Sequence, residues 1–134
     1  MMHPAAVAEQ YLRTQVRSSA PLELVVLLYD AALRSTATAR DAMTRRDIPA
    51  RRMALSKAMA IVGELQGSLD MERGGSIAAE LDGLYTWVNS RLLDAIVQQD
   101  TRPIDDARRV LETLRGAWHS ISTTAPGAAV GARP

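Results

Sequence analysis

Apolar residues return every three or four positions through most of this chain, the spacing that places them on one side of an α-helix. Four segments follow this pattern, and the stretches between them are short. Short connections between helices of about 20 residues favour neighbours that run antiparallel. The pattern therefore predicts an all-α fold, an antiparallel up-and-down four-helix bundle.

The bounds of the first two helices are predicted from proline, serine and glycine. Ser18, Ser19 and Pro21 predict the start of the first helix, because proline is tolerated where its missing N–H needs no partner. This helix runs to about residue 45, and the second follows Pro49. The second ends at the glycine pair 74–75, which offers backbone angles that other residues resist.

The last two helices are separated by Asp100, Thr101 and Pro103. Asp105 and Asp106 fall in the first turn of the fourth helix, where acidic side chains interact well with the helix dipole. The residues predicted to face the core, helix by helix, are Val25, Leu28, Ala32, Thr36, Ala39 and Met43; Leu55, Ala58, Val62, Leu65 and Leu69; Ile77, Leu81, Leu84, Val88, Leu92 and Ala95; Ile104, Ala107, Leu111, Leu114, Trp118 and Ile121.

The length of 134 residues fits one domain. We expect a flexible N-terminal segment at 1–18 that caps the bundle, the four-helix domain at 19–121, and a disordered tail at 122–134. The tail has too little apolar area to offset the entropy lost on ordering it.

Three helices carry more apolar residues than one core-facing side needs. The surplus residues are Leu24, Val26, Leu27 and Leu33; Met53, Met59 and Ile61; Trp87, Leu93 and Val97. A helix that is apolar on two sides either lies at the centre of its bundle or shows one side to a partner. Central burial is favoured for the first helix, and partner contact for the third.

Two glycines lie inside the second predicted helix, Gly63 and Gly67, and each costs about 1 kcal/mol relative to alanine. A close approach of two helices and a groove floor under a partner backbone explain this cost equally well.

Charge and composition exclude several classes of function. The 16 basic and 15 acidic residues leave a net charge of +1, so we expect neither nucleic acid nor an anionic membrane surface as a partner. An arginine cluster at residues 45, 46, 51 and 52 is typical of a solvated helix turn, with contact to an acidic partner as the alternative. The absence of cysteine agrees with the cytoplasm, and no apolar segment predicts membrane insertion.

Candidate catalytic and metal-binding patterns are missing from the sequence. His3 and His119 are the only histidines, and neither pairs with a glutamate three residues away as a metal site in a helix bundle requires. No serine lies in a nucleophile turn, and no glycine-rich loop is followed by the lysine of a phosphate-binding loop. We therefore expect no enzymatic activity, no metal and no cofactor.

Four segments resemble a known family: Tyr11–Leu33, Ser56–Gly75, Leu84–Ala95 and Leu111–Trp118. The most specific are SLDMERGG in the second segment and the P-x-E-L-x-x-x-L-Y-D pattern in the first. On these segments, which span the chain from about Tyr11 to Ile121, the sequence is similar to the FliS family of flagellar secretion chaperones.

The resemblance implies an antiparallel four-helix bundle that binds the C-terminal region of flagellin in the cytosol. Binding would block premature polymerisation and assist delivery to a protein of the flagellar type III export gate. The segment before the first helix would act as a removable cap through Tyr11, Leu12 and Val16. Together with the surplus apolar residues, the predicted partner-binding set is Tyr11, Leu12, Val16, Leu24, Leu27, Met59, Ile61, Trp87, Leu93 and Val97.

Two alternatives remain open. The chain could be a regulatory adaptor whose main partner is a transcription regulator or its inhibitor, such as an anti-sigma factor. It could also be a homodimer that buries the surplus apolar face permanently.

Overall fold

The computed structural model of the protein describes residues 3–14 and 22–124. This part of the chain contains five helices and no strand, so the predicted all-α class is confirmed there. The helices are α1 (Pro4–Thr14), α2 (Leu22–Thr44), α3 (Ile48–Gly67), α4 (Met71–Gln98) and α5 (Arg102–Thr124). Ser18, Ser19 and Pro21 lie outside the described residues, as does the predicted tail beyond Thr124.

Helices α2 to α5 surround one core. Helix α2 packs against α3 and α5, and α4 packs against the same two helices, so the four form a closed ring. Helix α1 lies on α4 and α5. Most residues predicted to face the core are buried, while Leu28, Met43, Leu69, Ile77 and Leu84 are partly buried against it. The side chain of Ile121 is outside the description.

Helix α1 is a fifth helix in the described residues, where the sequence predicted four. Pro4 occupies its first position, and the Ala5 amide donates to Nδ1 of His3 at 3.2 Å, which caps the helix. Among the side chains of α1 that the structure describes, those of residues 4–11, the buried ones are Val7, Ala8 and Tyr11. Three apolar positions over one or two turns make too short a repeat for periodicity alone to predict a helix.

The predicted end of the second helix is also wrong. Helix α3 ends at Gly67, and α4 begins at Met71 after Asp70, whose carboxylate accepts a hydrogen bond from the Arg73 amide at 3.0 Å. The break lies earlier than predicted because the capping aspartate starts a new helix before the glycine pair is reached. Gly75 does adopt the expected left-handed φ of 52°, but it forms a kink inside α4.

Polar contacts connect α2 to α5 along their shared edge. Arg40 pairs with Asp105 at 2.7 Å and lowers the pKa of that carboxyl group. Arg115 pairs with Asp30 at 2.8 Å. Arg108 donates to the carbonyl oxygen of Leu33 at 2.7 Å and to the hydroxyl of Thr36. This edge of the bundle is therefore polar and internally paired.

Aromatic side chains connect four helices within the core. The hydroxyls of Tyr29 and Tyr85 lie 2.6 Å apart, and the Trp118 indole N–H donates to the Tyr29 oxygen at 3.1 Å. The ring of Tyr11 meets Trp118 edge-on, with centroids 6.1 Å apart. Burial raises the pKa of both Tyr29 and Tyr85. These contacts join α1, α2, α4 and α5.

Candidate partner-binding surface

Large apolar side chains are exposed on three of the ring helices. Leu27 is 61% exposed and Val97 is 74% exposed, well beyond the partial exposure usual at the edge of a core. The full set within the described residues is Leu24, Leu27, Ile48, Met53, Met71, Trp87, Leu93 and Val97. Helices α2, α3 and α4 supply all of them. Exposed apolar residues in such number indicate a binding surface.

The outward side of α3 has small residues along most of its length. Met53, Ser56, Ala60, Gly63 and Gly67 follow each other at spacings of three and four, and all are exposed. A Cβ added to either glycine would meet no atom within 4 Å, apart from the neighbouring backbone of its own helix. The described helices therefore do not approach one another at these glycines. Of the two explanations left open by the sequence, this geometry favours the groove floor.

Helix α4 presents its exposed apolar residues on two different edges. Asn89 donates to the Met59 carbonyl of α3 at 3.2 Å, and Leu93 lies one turn further along the same side. Arg91 pairs with Asp106 of α5, and Trp87 lies one turn before it. Leu93 is therefore on the edge of α4 toward α3, whereas Trp87 is on the edge toward α5.

Helix α2 completes the surface on the other side of α3. Asp30 marks the edge of α2 toward α5, because it pairs with Arg115. At about 100° per residue, the exposed Leu24 lies about 120° from Asp30, toward α3, and Leu27 lies between them. We call the following residues, around the outward side of α3, the open apolar surface: Leu24, Leu27, Met53, Met59, Gly63, Gly67, Leu93 and Val97.

The remaining predicted partner-binding residues lie elsewhere. Ile61 is buried in the core, and Tyr11 is buried on the inner side of α1, between this helix and the bundle. Leu12 belongs to α1, but its side chain is outside the description, and Val16 lies outside the described residues. Met59 does belong to the open apolar surface, but it is half-buried and packs against the core. The sequence therefore grouped residues that the fold distributes over at least two surfaces.

Tyr11 fixes α1 at the start of α4. Its hydroxyl accepts a hydrogen bond from the Asp70 amide at 2.8 Å. Its ring lies where a Cβ on Gly74 would approach it to 3.0 Å and would meet the Ala78 Cβ at 2.6 Å. Only glycine fits beneath this ring. Helix α1 thus covers the α4–α5 side of the bundle, away from the open apolar surface.

Sequence reasoning missed Arg51, which it assigned to a solvated turn. Arg51 is buried, whereas its neighbour Arg52 is exposed. The signal was its position three residues before Ala54 and four before Leu55, both of which face the core.

The described residues contain neither a metal-binding group nor a membrane helix. No three His, Asp or Glu side chains in that part of the chain come close enough to hold a metal ion. No helix described in the structure has both the length and the apolar character needed to cross a membrane.

Comparisons of the sequence with a family profile and with known proteins all identify the same family. A sequence profile described as flagellar protein FliS matches residues 3–125. The flagellar secretion chaperone FliSB of Pseudomonas aeruginosa is 35% identical over 125 residues, covering 90% of this chain and 99% of that protein. FliS of Salmonella typhimurium is 35% identical, covering 90% of each chain, and FliS of Vibrio cholerae is 30% identical, covering 81% of this chain and 79% of its own. The chain therefore belongs to the FliS family of flagellar secretion chaperones.

Proposed function

We propose that this protein is an export chaperone that binds the C-terminal region of flagellin in the cytosol. It would keep flagellin from polymerising before export and assist its delivery to a protein of the flagellar type III export gate. The observation that carries this proposal is the open apolar surface. The relatives named flagellar secretion chaperones support the same role.

The open apolar surface suits an amphipathic segment that later packs in a filament. Such a segment can lay its apolar side along the outward side of α3, with leucine and valine side chains flanking it on α2 and α4. The glycines at 63 and 67 leave room for close approach of the client backbone. Ordering a disordered client reduces the net affinity, which helps a chaperone release its client at the export gate.

The closed ring of contacts supports an up-and-down arrangement of α2 to α5, since each consecutive pair is joined by a short connection. Within the proposal, α1 is a removable cap. It rests on α4 and α5 through Val7, Ala8 and Tyr11, and its release would uncover apolar area around Trp118. Trp87, on the α5 edge of α4, would contact a separate part of the client.

The test is isothermal titration of the full chain with the C-terminal peptide of flagellin from the same organism, followed by circular dichroism of the mixture. We expect saturable binding, a negative heat-capacity change and more helix in the mixture than in its parts. A folded sample that gives no heat of binding would contradict the proposal.

Sedimentation of the free protein separates the two alternative functions. A stable dimer that ignores the peptide would favour the homodimer. A monomer that ignores the peptide would favour the adaptor for an anti-sigma factor.

A further inference from the structure

A cavity of about 350 Å³ opens at one end of the bundle, where the end of α2 and the start of α3 meet the end of α4. It is lined by Ala42, Met43, Arg46, Ile48, Arg51 and Gln99, together with Asp47. Nothing in the proposed binding of flagellin uses this cavity.

Arg51 is a buried cation in the wall of the cavity. It is only 9% exposed, and its Nε is buried without a hydrogen-bond partner among the described residues. In that part of the chain it forms no ion pair either. A buried charge without a partner destabilises a fold, which favours an anion in this cavity.

The neighbours of Arg51 make the cavity cationic with apolar walls. The Arg46 side chain is exposed and forms no ion pair within the described part. Asp47 is already engaged, because its carboxylate accepts from the Ala50 amide at 3.1 Å and lies 3.5 Å from Arg45. Met43 and Ile48 provide the apolar walls.

We propose that this cavity receives the carboxylate of an Asp or Glu side chain from a partner protein, with a neighbouring apolar residue of that partner against Ile48. The planar fork of arginine matches a carboxylate with two parallel hydrogen bonds. A carboxylate carries a single negative charge, so it meets less repulsion from Asp47 than a doubly charged phosphate would. The inference stands independently of flagellin binding.

The test follows the Arg51 Nε–Hε signal by NMR during titration of the full chain with the dipeptide acetyl-Leu-Glu-amide. The matched probe acetyl-Leu-Gln-amide lacks the charge. We expect a saturable shift with the glutamate probe and at least roughly tenfold weaker binding of the glutamine probe. No saturable shift, or equal binding of the two probes, would overturn the proposal. If inorganic phosphate binds as tightly as the glutamate probe does, the cavity is a general anion site and the proposed selectivity for a carboxylate is wrong.

Variants separate binding from packing. In Arg51→Met we expect loss of glutamate-probe binding, followed at the Gln99 amide, with an unchanged or higher Tm in the absence of probe. The matched control Arg52→Met changes an exposed arginine on the same helix and should keep full binding. Retained binding in Arg51→Met would contradict the proposal. A large drop in its Tm would assign Arg51 to packing alone.

Discussion

At the scale of single residues, glycines with opposite surroundings lie close together in the sequence. Gly74 sits under the Tyr11 ring, where no side chain fits, while Gly63 and Gly67 face open space on α3. Glycine therefore allows close packing of α1 on α4, whereas on α3 it leaves the helix backbone accessible at the surface. Sequence alone could name the glycines, but the choice between these roles depended on which neighbours the fold supplies.

Replacing Gly63 by alanine should stabilise the fold and weaken client binding. Alanine favours the helix by up to about 1 kcal/mol, and nothing obstructs its Cβ. The added methyl group would hold the client backbone away, so we expect roughly tenfold weaker binding, about 1.4 kcal/mol. Urea unfolding and isothermal titration measure the two effects. The control is Gly116→Ala on α5, where a Cβ also meets no neighbouring atom; it should stabilise the fold without weakening client binding. Equal client binding by the two variants would contradict the role of Gly63 as a groove floor.

Replacing Tyr29 by phenylalanine should cost about 1–3 kcal/mol of unfolding free energy, because the buried Trp118 indole N–H loses its acceptor. Tyr85→Phe leaves that acceptor in place and should cost less. Chemical denaturation of the two variants gives the comparison. Equal costs would show that the indole hydrogen bond contributes little.

The same tyrosines predict a loss of stability at high pH. Folding raises the pKa of Tyr29 and Tyr85 above the ordinary value of 10.0, so the unfolded chain loses its protons first as the pH rises. Their contribution is complete below pH 10 and falls above it, by up to about 1.4 kcal/mol per pH unit for each tyrosine. Denaturation at a series of pH values should show this fall, and a flatter dependence in Tyr29→Phe. If the unfolding free energy of Tyr29→Phe falls with pH as steeply as that of the unmodified protein, the loss of stability does not come from Tyr29.

At the scale of elements, the helices that periodicity predicts are those that bury one side over many turns. Helices α2 to α5 each repeat their apolar positions through about four turns or more, so their inner sides were predicted almost residue by residue. The described side chains of α1 that are buried are Val7, Ala8 and Tyr11, and the stability of this short helix depends on the side of the bundle it covers. The break at 68–70 was missed for a similar reason, since the Asp70 cap acts locally and leaves the apolar spacing intact.

Replacing Tyr11 by alanine should release α1 while α2 to α5 remain folded. The change removes the edge contact with Trp118 and the acceptor of the Asp70 amide. We expect the Trp118 fluorescence to shift to longer wavelength, with most of the helical dichroism retained. The Trp87→Phe background isolates the Trp118 signal, because these are the only two tryptophans. An unshifted spectrum would mean that α1 stays in place without its tyrosine.

At the scale of the whole molecule, the ring of four helices divides its outer surface by chemistry. Asp30, Arg40 and their partners make the α2–α5 edge polar, while the surface around α3 is apolar. The sequence predicted which apolar residues are surplus to one core-facing side. Which of them lie on the open apolar surface, on another edge or in the core depends on the order of the helices around the ring. This is why Leu93 and Trp87, six positions apart, lie on different edges, and why Ile61 belongs to the core.

The most direct test of this account compares the substitutions Leu93→Glu and Ala37→Glu by isothermal titration with the flagellin C-terminal peptide. Both replace an exposed apolar residue by glutamate, but Leu93 lies on the open apolar surface and Ala37 lies on α2 one turn after Leu33, toward α5. We expect Leu93→Glu to weaken binding roughly a hundredfold, about 2.7 kcal/mol, with Tm nearly unchanged, and Ala37→Glu to bind as the unmodified protein does. Equal binding by the two variants would contradict the placement of the client on the open apolar surface.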